Sequence, residues 1–518
     1  DLPGQKVRRK VIMFMDDRDL YCETLPTRPR PELGRILVTG ASGYIGGRLV
    51  PELLARGYRV RVMVRAASPE YEERWPGAEI VIGDALQRES VERALDGIHS
   101  AYYLIHSLLL GPAEFESADI QAATTFRTAA GQKQVKRIIY LGGLGDVRTQ
   151  LSPHLRSRIQ VSQELQSGTV PVTILRAAII LGSGSASYEI VKHLIRNVPV
   201  LPVPSWARTH CQPISIRDVV RYLVGVLETD ATAGQSYDIG GSDVLSYESM
   251  LRVFAEILGL KRVFLRSPIS NVKLFAYIAS LVTPVPHAIT ACLMESTHNE
   301  VVCQNDAIRR AVPFEPLPYR EAIVRALSRE EQDRVRTRWS DAYPPAHELA
   351  IKLRELKSPP RFISTYSLVT EKAARDLFRS FCSIGGKEGW FNNNWMWRLR
   401  GWLDRLIAGV GTSRGRRSHS TLRINDVIDF WRVEELKKDS RLLLRAEMKL
   451  PGMAWLQFNV DPEAGKNRLS ITAFYQTTTL LGRLYWYATL PLHVLIFDGL
   501  IKQINKRSQE AHHGAGNR

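Results

Sequence analysis

Apolar positions in the first two thirds of the chain recur with two alternating periods. "RILVTG" (35–40) is a short β-type run entering a glycine turn, and "YIGGRLVPELLAR" (44–56) spaces its apolar residues as a helix. Gly57 ends that helix, and "YRVRVMVR" (58–65) alternates as a second strand. Further strands are expected at 79–82, 100–105, 137–143 ("RIIYLGG") and 172–180 ("VTILRAAII"). Helices fall between them, one ending at Leu95, one near 117–131 and one over "SRIQVSQELQ". Strands alternating with crossover helices mean an α/β fold with a doubly wound parallel sheet. Residues 200–330 are rich in proline and short elements, and read as a small substrate lobe.

A second pattern begins near 361. "RFISTYSLV" is a strand, "TEKAARDLFRSFCSI" an amphipathic helix with Thr370 as its N-cap, and 390–409 a Trp-rich helical segment. Four strand-like runs follow at 427–435, 441–449, 453–460 and 467–476, and an apolar helix from about Leu480 to Ile504 closes the pattern. This order of elements is that of an α+β helix-grip domain, a curved sheet wrapped on its last helix with a cavity between. The chain therefore divides into a disordered leader (1–34), a dinucleotide-binding domain (35–327), a charged linker with two Pro-Pro pairs (328–360), the helix-grip domain (361–506) and a flexible tail (507–518).

Composition narrows this picture. At 518 residues with 44% hydrophobic and 24% charged positions, the chain is long enough for two or three globular cores. Its net charge of +17 is uneven: residues 331–518 carry 31 Lys/Arg against 19 Asp/Glu. The bland reading, a solvated basic face, is preferred, and no nucleic-acid-binding signature accompanies the charge. Five scattered cysteines without a CxxC pair point away from a metal site and a disulfide framework, and towards a cytoplasmic location. Leu274–Met294 has no Asp, Glu, Lys or Arg, but Pro284, Pro286 and His287 interrupt it. A buried or interfacial helix pair is expected there, with peripheral contact to the inner membrane left open.

The glycine turn carries the chemistry. "TGASGYIG" sets Gly40, Gly43 and Gly46 at GxxGxxG spacing between a strand and a helix, with Ser42, Tyr44 and Ile45 in the same turn. Glycine permits the tight turn and brings backbone N–H groups onto a pyrophosphate at the helix start. The second strand ends at Arg65, where NAD-selective sites place a carboxylate; a guanidinium suits the 2′-phosphate of NADP. Asp84 and Ala85 in "GDAL" are placed to meet the adenine ring, the bland alternative for Asp84 being a helix cap.

These elements, with "RIIYLGGLG", "VTILRAAIILGSGS" and "QPISIRDVVRYL", resemble the short-chain dehydrogenases/reductases in their extended or atypical form. The resemblance covers about 35–327. It implies a Tyr-x-x-x-Lys pair on the helix after the fifth strand and a Ser or Thr near that strand's end. Here those positions hold His154 and Arg158 in "SPHLRSR", and Gly142 and Gly143. Three readings stand open: His154 replaces Tyr as acid; hydride passes, near His106, to a substrate that needs no Tyr; or the site binds nucleotide without chemistry. Such losses are typical of atypical members, which include NADP-binding subunits, sensors and some reductases; the nucleotide-binding accessory subunit of respiratory complex I looks like a relative.

The C-terminal segments "DFWRVEEL", "RLLLRAEMKLPGMAWLQFNV" and "LLGRLYWYATLPLHVLIF" are similar to START/SRPBCC-type ligand-binding domains, and more closely to an uncharacterised bacterial domain fused to atypical short-chain dehydrogenases. The resemblance implies a cavity for a hydrophobic small molecule. Trp455, Phe458, Phe474, Tyr475, Tyr485, Trp486 and His493 are its candidate lining, and Arg445, Glu447 and Lys449 its polar anchors. Leu484–Phe497 is expected to be a buried helix kinked at Pro491, though membrane contact by this run is left open. The leading expectation is an NADP-dependent oxidoreductase acting on a quinone, isoprenoid or lipid. The alternative is a non-catalytic NADP-binding sensor or assembly factor.

Overall fold

The computed structural model describes residues 20–65, 70–106, 115–145, 150–331, 337–341, 351–356, 358–386, 388–407, 409–411, 414–418 and 421–508. Parts of the expected leader, linker and tail lie outside these residues. The chain forms two compact units, the first holding residues 1–283 and 288–345, the second 284–287 and 346–518.

In the first unit, β1 (Arg35–Thr39), β2 (Arg59–Val64), β3 (Glu79–Ile82), β4 (Ile98–Tyr103), β5 (Arg137–Gly143), β6 (Val172–Ala177) and β8 (Ser236–Ile239) make one parallel sheet. The strand order is β3-β2-β1-β4-β5-β6-β8, with β7 (Val200–Val203) outside it. Ile36, Leu37 and Val38 are all fully buried, because a sheet covered by helices on both faces hides alternate residues equally. The connecting helices include α1 (Gly46–Ala55), α2 (Arg88–Leu95), α3 (Phe115–Gln132) and α4 (Pro153–Gln166). The α/β doubly wound architecture read from the sequence is the one observed. Strand order reverses between β1 and β4, and such a switch point opens a crevice at the strands' carboxyl ends. Thr39 clamps it: its hydroxyl donates to Tyr102 O (2.9 Å) and accepts from Leu104 N (3.3 Å).

Beyond the sheet, α5 (Ala186–Asn197), β7, α7 (Tyr247–Ile257), β9 (Val263–Arg266), α8 (Val272–Val282) and α9 (His287–Glu295) build the small lobe, with β7 and β9 paired in parallel. Helix α6 (Ile216–Glu228) returns to the main sheet. Residues 20–34 correct the expected disordered leader. Tyr21, Cys22 and Leu25 are buried in the core, and the amides of Tyr21 and Cys22 donate to the Glu52 carboxylate at 2.7 and 3.0 Å.

The second unit holds an antiparallel sheet of β10 (Phe362–Thr370), β11 (Val427–Ile428), β12 (Trp431–Lys437), β13 (Arg441–Ala446), β14 (Met453–Glu463) and β15 (Lys466–Gln476), in the order β10-β15-β14-β13-β12-β11. The run expected at 427–435 is broken at Asp429, whose φ of 55° turns the chain between β11 and β12. Thr370 ends β10 and does not cap a helix; α10 (Tyr319–Glu331) precedes the sheet, and α11 (Ala374–Cys382) starts after Ala373. Helices α11 and α13 (Leu480–Arg507) cover one sheet face, joined where Ser380 Oγ donates to Ile504 O (2.8 Å); α12 (Asn394–Leu406) lies between them in sequence.

Strand alternation overturns the grouping of the expected cavity residues. Phe458 and Tyr475 share the helix-covered face with Leu456, Ile471 and Ala473, whereas Trp455 pairs with Arg445 and Phe474 on the opposite face. Tyr475 stacks on Trp486, with centroids 5.7 Å apart, and His493 meets Trp486 edge to face at 5.1 Å. Helix α13 is continuous through Pro491 and only half covered. Trp486, Phe497, Leu500, Ile501 and Ile504 are buried, while Leu480, Leu484 and Leu495 are 80, 65 and 56% exposed.

One buried ion pair fastens the first unit's amino-terminal segment. Glu228, ending α6, accepts from Arg56 Nε and Nη2 at 2.7 Å each, from Tyr58 Oη at 3.0 Å and from Thr27. Glu228→Ala leaves the Arg56 guanidinium with little access to water and only the carbonyls of Cys22 and Thr27 to donate to, so urea unfolding of the first unit should show a loss of about 3 kcal/mol.

Candidate functional site

The phosphate-binding turn is built by close backbone approach. Gly40 has φ +66°, and a Cβ there would stand 2.4 Å from Leu104 O. A Cβ on Gly46 would stand 2.5 Å from Gly40 O, so strand and helix meet only because both positions are glycine. Gly43 N donates to Gly40 O (3.0 Å) and closes the turn. Ile45 precedes α1 and offers no side-chain cap; the amides of Gly47 and Arg48 are taken by Gly43 O and Ile45 O (3.0 Å each), and the positive end of the helix faces the turn. Sequence reading missed Arg74: its buried Nη2 has no hydrogen-bond partner among the described residues, and it lies 2.3 Å from where a Gly47 Cβ would be. An orphaned guanidinium beside the positive end of a helix fits a site that takes an anion.

Among the other cofactor candidates, Ser42, Tyr44 and Ile45 are half-buried in the turn, and Arg65 is exposed where β2 ends. Asp84 follows β3, and its Oδ1 accepts from Leu86 N (3.0 Å), shaping the turn before α2. The N-cap of α2 is Gln87, and Ala85 is buried. Part of the stretch read as linker also reaches this site. Thr337 Oγ1 donates to Tyr44 O (2.9 Å) and accepts from the fully buried Arg48 Nε (2.8 Å), and Trp339 N donates to Gly184 O (2.8 Å).

Tyr44 and Ile45 also border a cavity of about 480 Å³ running from the carboxyl ends of β4, β5 and β6 into the small lobe. Its walls are almost wholly apolar, including Leu141, Leu155, Ile190, Val203, Trp206, Met250 and Phe275. His106, His154 and Arg158 are brought together on its lining. Ser152 caps α4 by accepting from Leu155 N (3.2 Å), with Pro153 opening the helix, and this turn presents His154 and Arg158 one turn apart. The two imidazole centroids are 5.2 Å apart. His106 Nδ1 lies 3.0 Å from Oδ2 of the buried Asp119 on α3, an orienting residue that no sequence pattern marks. Arg158 lies over the Tyr140 ring (4.9 Å) and donates through Nη2 to Leu141 O.

Three polar atoms in this cluster lack a hydrogen-bond partner among the described residues: His106 Nε2, His154 Nδ1 and Arg158 Nη1. Burial, helped by His106 and Arg158, pushes His154 down to about 3; burial and Arg158 lower His106, against the pull of Asp119. Although part of the His154 side chain faces the cavity, the ring is neutral at physiological pH. It can therefore relay a proton or donate one hydrogen bond, but it is not a standing cationic acid.

The turn, the switch-point crevice and this cavity define an NAD(P)-binding Rossmann protein of the atypical short-chain dehydrogenase type. The NmrA-like family model matches residues 32–315, and the chain belongs to that family. A second model, described as a protein of unknown function (DUF2867), matches residues 358–500. Similar proteins include photosystem II assembly factor Ycf39 of Trieres chinensis, 21% identical over 47% of this chain and 75% of that protein. Ceramide reductase of Caulobacter vibrioides is 26% identical over 45% of this chain and 74% of its own length. Divinyl chlorophyllide a 8-vinyl-reductase of Arabidopsis thaliana is 23% identical over 52 and 68%. Among solved structures, the triphenylmethane reductase of Citrobacter sp. complexed with NADP(H) aligns with a TM-score of 0.47 at 20% identity, over 56% of this chain and 99% of that one.

Gly40→Ala should raise the dissociation constant for NADPH by at least ~10²-fold in calorimetry and lower the unfolding midpoint of the first unit, because a methyl group there forces β4 from β1 and opens the anion cradle. The folded state holds His154 below its ordinary value of 6.5, so the unfolded chain binds the additional proton. Stability should therefore fall as pH drops from about 6.5 towards 3, and His154→Asn should flatten that decline in denaturant titrations.

Proposed function

We propose that the first unit is an NADP-dependent reductase whose substrate is a long apolar molecule with one polar, reducible end. The observation carrying this reading is the apolar cavity with three unpartnered polar atoms on its lining. Such a lining favours an aliphatic or isoprenoid body and allows hydrogen bonds only at the His106–His154–Arg158 cluster. Arg65 and Arg74 supply positive charge near the turn, supporting NADP over NAD. Two of the similar proteins carry reductase names.

NADPH, when bound, supplies hydride from its nicotinamide ring. Arg158 Nη1 faces the substrate oxygen and stabilises the negative charge that gathers there as the carbonyl accepts the hydride. The guanidinium keeps its proton, so the proton that completes the alcohol passes through the neutral His154 and is replaced from water. Asp119 fixes the His106 ring so that Nε2 accepts from the substrate or from the relaying water. The apolar walls exclude bulk water from the reacting end.

In the second unit, the sheet wrapped on α13 supports a helix-grip relationship of START/SRPBCC type and binding of a hydrophobic ligand or partner. For the whole chain, this reading gives a cytoplasmic protein. A non-catalytic NADP-binding role is favoured by one observation: a Cβ on Gly143 would meet Leu155 Cδ2 at 3.1 Å and Arg158 Cβ at 3.4 Å, leaving little room for the family's hydroxyl.

NADPH oxidation with long-chain ketones, enones and quinones separates the two. Turnover is expected, with kcat/KM falling at least ~10²-fold in Arg158→Ala and ~10-fold or more in His154→Ala. Tight NADPH binding without turnover on any of them would replace the reductase by a sensor.

A further inference from the structure

The second unit carries a face that its own fold leaves uncovered. On α12, Trp395, Leu399, Trp402, Leu403 and Leu406 are 63, 48, 56, 47 and 39% exposed, and Ile407 follows at 55%. Their spacing of four, three, one and three residues is one helical stripe. That stripe points away from the core, since Met396, Trp397, Gly401 and Asp404 fill the buried side. On α13, Leu480, Leu481, Leu484, Tyr487, Leu492, Val494 and Leu495 are 44 to 80% exposed over four turns.

The two helices meet at the start of α12. Asn393 Nδ2, at the start of α12, donates to Leu495 O midway along α13 (3.3 Å). At the other end, Lys449 Nζ donates to Ile407 O (2.8 Å), and two residues on Pro451 O accepts from Thr477 (2.8 Å), just before α13 begins. The start of α12 therefore lies against the middle of α13 and its end on the side where α13 begins, so the two helices run in opposite senses. Charge on this surface has one sign. Arg398 is exposed on α12 and Lys449 beside its end, and the half-buried Arg400 donates to Lys449 O (2.9 Å), while Asp404, the one carboxylate on α12, is buried and accepts from Gly411 N and Lys449 N. The polar side of α13 resumes only at Asp498 and Lys502.

We propose that this paired α12–α13 face docks on the surface of an anionic lipid bilayer. Tryptophan and leucine would enter the acyl boundary, and the arginines would meet lipid phosphates. Although α13 is long and apolar enough to cross a bilayer, its opposite side is fixed to the sheet through Trp486, Phe497, Leu500 and Ile501. It therefore lies along the membrane plane. A neutral protein partner is disfavoured by the arginines, and self-association by their like charge across a two-fold axis. The inference does not depend on the reductase reading, because none of these residues belongs to the first unit.

The test is co-sedimentation of the full chain with phosphatidylcholine vesicles, with and without 30 mol% phosphatidylglycerol (about one lipid in three, a common anionic load). Binding is expected with the anionic vesicles, weakened by salt, and lowered at least ~10-fold in Trp395→Ser/Trp402→Ser/Leu484→Ser and in Arg398→Glu. Brominated lipid should quench tryptophan fluorescence in the parent chain and less so in Trp395→Phe/Trp402→Phe. Circular dichroism and NADPH affinity should stay unchanged in all three variants. No binding to either vesicle, binding equal in the variants, or a concentration-dependent dimer that the serine substitutions abolish would overturn the proposal.

Discussion

The first unit depends on how closely its backbone approaches itself at the mouth of β1. Three chain segments converge within a Cβ radius: Gly40 against Leu104 O, Gly46 against Gly40 O, and Gly43 N on the same Gly40 carbonyl. A side chain at either end of the turn would push α1 off the sheet or β4 off β1. Because Thr39 ties the tips of β1 and β4 through Tyr102 and Leu104, this contact also sets where the crevice opens. The cavity beyond it inherits its position from the turn, with Tyr44 and Ile45 serving both.

The altered catalytic positions make sense as one change. Gly143 stands where a hydroxyl residue would stand, and the space its absent Cβ leaves is taken by Leu155 and the stem of Arg158. Arg158 reaches over Tyr140 and gives one arm to Leu141 O, a path that a bulkier residue at 143 would obstruct. Tyrosine, lysine and serine are thus replaced by a set that fits together: a glycine that lets the helix approach, a guanidinium locked by stacking, and an imidazole kept neutral by burial. The imidazole and the guanidinium each present a polar atom among apolar walls, where a hydrogen bond to a ligand is worth most.

The main sheet was legible because parallel strands read as apolar runs and their helices as period-3.6 stripes, and the glycine spacing marked the turn without help from structure. What escaped the sequence was long-range pairing. Nothing near Asp119 signals that it will orient His106, thirteen residues earlier, and nothing in "YCETL" shows that its amides will be capped by Glu52. In the second unit, the aromatic residues were visible but their faces were not. A one-residue offset in a strand moves a side chain to the other face, so Trp455 and Phe458 were grouped although the sheet separates them. Helix α13 misled for a different reason: apolar all round, it reads as buried from composition alone.

That last case bears on what the α12 stripe means. A helix folded only to cover its own sheet turns its apolar stripe inward and its arginines outward. Helix α12 does bury Met396 and Trp397, yet it carries a second stripe, in register over three turns, on the outside. Random surface hydrophobes would be scattered, and scattered residues call for no explanation. Two helices of one unit that each carry an outer apolar stripe, with Arg398 exposed beside one of them and the α12 carboxylate buried, are ordered on the side that folding does not order. Some selection other than the stability of the unit must have arranged them, and an interface that is at once apolar and anionic satisfies both features together.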